Sequence, residues 1–343
     1  MKTKFTILLA LIIAPTIHFC QSFSAPVEYM NYMSKEYKRI NKDTWDYTSA
    51  VAHGKSARKV EKKRKEVLKT VDNARKSIRK IKGYNGDNAL RDSVISFLNI
   101  NYNVINYDYA KIVDMEAISE QSYDAMEAYL MAQDKANAKL GSASDMLKLQ
   151  HDAYARSHNI LIDTKKDDIS LKLEAAEKVF DYYHEIYLIF FKSYKQESYL
   201  LDAIKRGDVN AIEQNKNALI STSKEGIEKL KPIKSFKGDP TIKTSCKNML
   251  TFYQMEAKDD ITTITDFYLK NDNFNKLKAA FDSKKEGKRT QADVDEFNAA
   301  VNDVNSASDA FNIKNNELFT KRGGLLDKWN NSVDRFLDKH VSK

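Results

Sequence analysis

The chain has 343 residues, 56 Lys and Arg against 48 Asp and Glu, a formal net charge of +8 and two cysteines. This length is enough to bury one large core or two smaller ones. Two features set limits: Cys246 is the only cysteine beyond residue 20, which excludes an intramolecular disulfide in a processed chain, and the longest purely apolar run after Met30 is 186–191, far below the ~20 residues of a spanning helix.

Residues 1–25 read as a secretory signal peptide. Lys2 and Lys4 precede an apolar run at 7–14, then Pro15, and Ser22 and Ser24 offer small residues for cleavage near Ser24 or Ala25. Lipid attachment at Cys20 is the rival reading, disfavoured by His18 and Phe19 beside it. Either way the protein is expected to be exported, to the periplasm, cell surface or exterior.

Beyond the leader the only prolines are Pro26, Pro232 and Pro240, so 27–231 is proline-free. Such a stretch, rich in helix formers and poor in glycine, predicts an all-α fold. The first helix is expected over 27–50. It ends at SAVAHGKS (49–56), which resembles a phosphate loop only at its end, since Ser49 stands where glycine is needed and no strand precedes it.

Residues 54–82 form the second helix. Val60, Val67, Ala74 and Ile81 repeat every seven residues with Val71 and Ile78 between them, an apolar seam that Arg64 interrupts. This segment holds thirteen Lys and Arg against three acids, while the rest of the chain beyond the leader sums to −4. Arg58, Lys62, Lys65, Lys69, Lys76 and Lys80 fall on the face opposite the seam, a ridge roughly 33 Å long. Such a ridge suits an anionic envelope component or an acidic protein. Nucleic acid is not expected, because no aromatic residue lies among these cations to stack on bases.

The third helix is expected over 88–116, with Val94, Leu98, Tyr102, Ile105, Tyr109 and Ile112 on one face. The fourth spans 121–158, with Met126, Leu140, Leu147 and Tyr154 on a seven-residue period. IKGYNGDNALRDSVISFL, from Ile81, then recurs as IKSFKGDPTIKTSCKNML from Ile233, identical at six of eighteen positions with an offset of 152. SASD at 142–145 and again at 306–309, with LID at 161–163 against LLD at 325–327, extends the match at an offset of 164, which implies about twelve inserted residues near 284–289. The reading is two tandem four-helix-bundle-like repeats, 26–163 and 164–343, packed together. The second carries a C-terminal helix after a break at Gly323 and Gly324. Residues 181–194, apolar on nearly every face, are expected at the junction of the halves.

No metal, cofactor or hydrolytic motif appears. His184 follows Asp181 by three residues, but Glu-x-x-His is absent, and so is Gly-x-Ser-x-Gly. Tyr102, Tyr109, Tyr183 and Tyr187 are the candidates for a ligand or carbohydrate groove between helices. Residues 60–130 resemble a bacterial family described as surface proteins, seen in spirochaetes and Bacteroidetes; that resemblance implies export and brings no catalytic motif. The leading expectation is therefore a non-enzymatic protein that binds a partner at the cell envelope through the basic face. The alternatives are a small-ligand or sugar binder using the tyrosine groove, and a hydrolase whose site is assembled only in three dimensions.

Overall fold

The computed structural model describes residues 23–163 and 165–343; the basic and apolar parts of the leader and Cys20 lie outside the described residues. The described residues are all-α, with no strand beyond two isolated bridges. The first half holds α1 (Pro26–Ala52), α2 (Ala57–Arg79), α3 (Ala89–Asn103), α4 (Tyr109–Ser119) and α5 (Tyr123–Ser157). The second holds α6 (Asp168–Arg206), α7 (Val209–Leu230), α8 (Thr241–Met255), α9 (Ile261–Ser283) and α10 (Gln291–His340).

The third helix is one rod interrupted by a π-turn, Val104–Asp108, between α3 and α4; a second π-turn, Glu256–Asp260, joins α8 to α9. The two π-turns are 152 positions apart, as are the starts of α2 and α7 and of α3 and α8. The corners before α3 and α8 match in the same register. Bridges Tyr84 to Asp87 and Phe236 to Asp239 close turns in which Asn85 and Gly86, or Lys237 and Gly238, have positive φ. Two consecutive left-handed residues are what a type I′ turn requires. The left-handed glycine of IKGYNGD is thus Gly86.

At that end of each half sits the same aromatic group around a histidine. Tyr29 meets Tyr84 at 6.0 Å and Tyr154 at 5.7 Å, and His158 meets Tyr84 at 5.5 Å and Tyr154 at 4.3 Å. Tyr182 meets Phe236 at 5.4 Å and Phe336 at 5.6 Å, and His340 meets them at 5.2 and 4.7 Å. His158 and His340 therefore occupy corresponding places 182 positions apart, which motif comparison along the sequence does not show.

That spacing corrects the offset of 164. SASD and LLD are chance echoes, because LID lies in the loop after α5 whereas LLD lies inside α10. About thirty residues, rather than twelve, separate the two halves' spacing, and they lengthen α9 and α10 on both sides of the tip at 284–290. A second correction concerns Gly323 and Gly324: α10 runs through them without a break from Gln291 to His340, so there is no separate C-terminal helix. Two glycines cost a helix roughly 2 kcal/mol relative to alanine, which the flanking turns of so long a helix absorb.

One core lies within the first half, around Tyr29, Val71, Ile78, Val94 and Leu98. A larger one surrounds α6 and is not confined to the second half: Trp45 and Ala52 of α1 and Met126 and Leu130 of α5 enter it beside Ile186, Phe190, Leu250 and Trp329. Helix α6 touches α1 and α5 on one side and α7, α8 and α10 on the other, which is why 181–194 is apolar nearly all round.

Candidate functional site

Helix α2 packs on α1 and α3 through Val67, Val71, Ala74 and Ile78, all buried. Arg58, Lys62, Lys65, Lys69, Lys76 and Lys80 are all exposed, so the apolar seam and the ridge face opposite ways. Within the helix, Lys62 leans on Glu66 at 3.9 Å, Lys65 on Glu61 at 3.5 Å and Lys76 on Asp72 at 2.5 Å. Exposed pairs of this kind contribute about 0.3–0.5 kcal/mol, too little to hold the cations back from a stronger anion. Residues 208–231, which correspond to α2, carry four acids and four bases. The ridge belongs to one half alone.

The structure does not gather the four tyrosines into one groove. Tyr102 lies under the Arg75 guanidinium at 4.2 Å, on the α2 and α3 side. Tyr109 donates to Asn137 Oδ1 at 2.7 Å and meets Tyr47 edge-on at 6.2 Å. Tyr183 and Tyr187 pack against each other at 5.5 Å on α6, within the second core. Burial pushes the Tyr109 and Tyr183 hydroxyls well above their ordinary value and that of Tyr187 up to about 12. These are packed rings, and two surface depressions lie elsewhere. Both are shallow and open, around Ile100, Val104, Lys135 and Lys139 between α3 and α5.

His184 sits between the rings of Phe180 and Tyr183, and burial lowers its pKa, as it does for His151. Cys246 is fully buried and free, with its thiol pushed up by burial. Among the described residues no group of three or more His, Cys, Asp and Glu is placed to hold a metal ion. No helix among them is long and apolar enough to cross a membrane.

Sequence reasoning picked out no acidic pair, and the fold makes one. Glu197 of α6 and Glu256 of the second π-turn are 2% and 0% exposed, and Arg322 of α10 reaches both: Nε donates to Glu197 Oε1 and Nη2 to Glu256 Oε1. Tyr253 Oη and Glu256 Oε2 are buried there without a hydrogen-bond partner, and so is Ser193 Oγ, one turn before Glu197. Burial, then the charge of Glu197, push the Glu256 carboxyl up to about 8 against the pull of Arg322. The available signal was Glu256 falling opposite the apolar Val104 in the 152 register. No protein family, curated protein or solved structure matches the chain.

Proposed function

We propose that this is an exported, non-enzymatic helical protein that binds an anionic partner at the cell envelope through the outer face of α2. The observation that carries this reading is the six exposed cations on one side of a helix whose other side is fully used in packing. A segment charge of +10 in a chain otherwise near neutral concentrates the electrostatic attraction along one edge. The tyrosine-groove reading has no comparable surface to rest on. We also infer that the halves descend from one duplicated unit, for which the shared 152 register and the paired aromatic and histidine groups speak.

The test is co-sedimentation of the processed protein with isolated envelope fractions and with anionic phospholipid vesicles, across a salt series. Binding should weaken steeply with salt, and Lys62→Glu, Lys65→Glu and Lys69→Glu together should abolish it while circular dichroism stays unchanged. Salt-independent binding, or binding that survives the triple reversal, overturns the assignment. One contact bears on the leader. The Phe23 ring packs edge-on against Tyr29 at 5.2 Å and Tyr32 at 5.5 Å. Cleavage near Ser24 discards that contact and a lipid anchor at Cys20 keeps it, so the mass of the processed N-terminus decides between them.

A further inference from the structure

The buried charges of the second half stand where the fold needs none. In the first half the corresponding level is built from Val104 and Leu140, which pack with Ala136, and from Asn101, whose amide turns back to the Phe97 carbonyl at 2.9 Å. In the second half those places hold Glu256, Arg322 and Tyr253. Exchanging apolar contacts for buried ions gains little stability and often loses some, because desolvation offsets the attraction. The charges call for another role.

Their location suggests it. Arg322 and Glu256 meet at the root of the α9 and α10 hairpin. The buried residues of α9 are Ile261, Ile264 and Thr265, all near its start, and Tyr268 just beyond them donates to the Ile204 carbonyl of α6; past Tyr268 the ring contacts run to α10, Phe274 on Phe297 at 5.9 Å and Phe281 on Phe297 at 4.6 Å. At the root each helix has its weakest point. One is the π-turn Glu256–Asp260; the other is Gly323 and Gly324, where an added Cβ would meet nothing within 4 Å.

We propose that Glu256 carries a proton at neutral pH and that this proton latches the α9 and α10 arm to α6 and α8. With it, one guanidinium faces one carboxylate; without it, two carboxylates compete for one guanidinium in a dry core, and the root opens. The other groups at this level are few. Glu197 and Tyr194 face it from α6 and Tyr253 from α8. On α7, Glu213 pairs with Lys216 at 2.6 Å and accepts from Thr265 of α9, while Asp260 of the π-turn pairs with Lys314 of α10 at 3.0 Å. A carboxyl raised from its ordinary 4.5 to about 8 contributes stability that is complete below about pH 4.5 and is lost as pH rises toward 8.

The test is infrared spectroscopy and amide hydrogen exchange on the full processed chain. A protonated-carboxyl C=O band should be present at pH 6, vanish with a midpoint near 8, and be absent from Glu256→Gln. Opening of 252–262 and 318–328, corrected for intrinsic exchange, should rise about tenfold per pH unit between pH 6 and 8 and become pH-independent in Glu256→Gln. Gly323→Ala with Gly324→Ala should slow opening at every pH without altering its pH dependence. Absence of the band from the wild type at pH 6, or a wild-type opening rate that ignores pH, overturns the proposal even if Glu256→Gln fails to fold. An unchanged pH dependence in a folded Glu256→Gln overturns it as well.

Discussion

Asp239 shows how one side chain closes the second half. Its carboxylate accepts from the Thr241 amide at 2.9 Å, Lys339 Nζ at 2.8 Å and His340 Nε2 at 2.9 Å. Burial alone would raise its pKa, but the hydrogen bonds from Lys339, Thr241 and His340 more than reverse this and hold it far below the ordinary 3.8. The stability it contributes is therefore present above that value and lost as pH falls below it. Asp87 in the first half is exposed and accepts from the Ala89 amide at 2.8 Å. Asp239→Ala should cost about 1–3 kcal/mol in urea unfolding at pH 7, and Asp87→Ala about 0.5–1. Equal losses would refute the difference drawn between the two corners. The bond from each aspartate to the amide two residues on is local, and a short-range reading of the sequence can anticipate it. The hold on Lys339 and His340 was not legible, because it spans a hundred residues and no local pattern records it.

Between residues and helices, the π-turns explain an anomaly that the heptad pattern flagged. Arg64 breaks the apolar seam of α2 because its Nη1 donates to the Ile105 carbonyl at 2.6 Å, inside the first π-turn, while Glu61 pairs with its Nε at 2.7 Å. A π-turn shifts the helical hydrogen-bond pattern by one residue, and a side chain from the neighbouring helix satisfies the displaced carbonyl. Arg64→Met should therefore cost about 1–3 kcal/mol despite completing the seam, and a variant more stable than the wild type would remove this account. The seven-residue periods of the second and fourth helices placed them within three residues of their observed ends. The third helix was taken as continuous, since an insertion of one residue leaves a periodic pattern nearly intact. For the arm, limited trypsin digestion should cut first at 284–289, where Lys284, Lys285 and Lys288 are exposed. Initial cleavage at the corners of either bundle would argue against a protruding hairpin.

Across the whole molecule, the sharing of one core by both halves governs cooperativity. Trp45 from the first half and Trp329 from the second lie in the same apolar cluster, so unfolding of either half strips contacts from the core that they share. Single-tryptophan variants, Trp45→Phe and Trp329→Phe, should report superimposable denaturant transitions that coincide with loss of helical circular dichroism. Separate midpoints would mean two independent units. The matching corners were legible because Ile81–Asp87 and Ile233–Asp239 are alike in sequence, and the junction helix was legible from 181–194. What escaped was the arm, whose thirty additional residues are ordinary amphipathic helix and carry no motif. Its length has a mechanical consequence. From Arg322 to Thr290 the helix extends about 48 Å, so a rotation of about 10° at Gly323 carries the tip roughly 8 Å. By such a rotation, a change of one proton at the fulcrum moves the far end of the lever by most of a helix diameter.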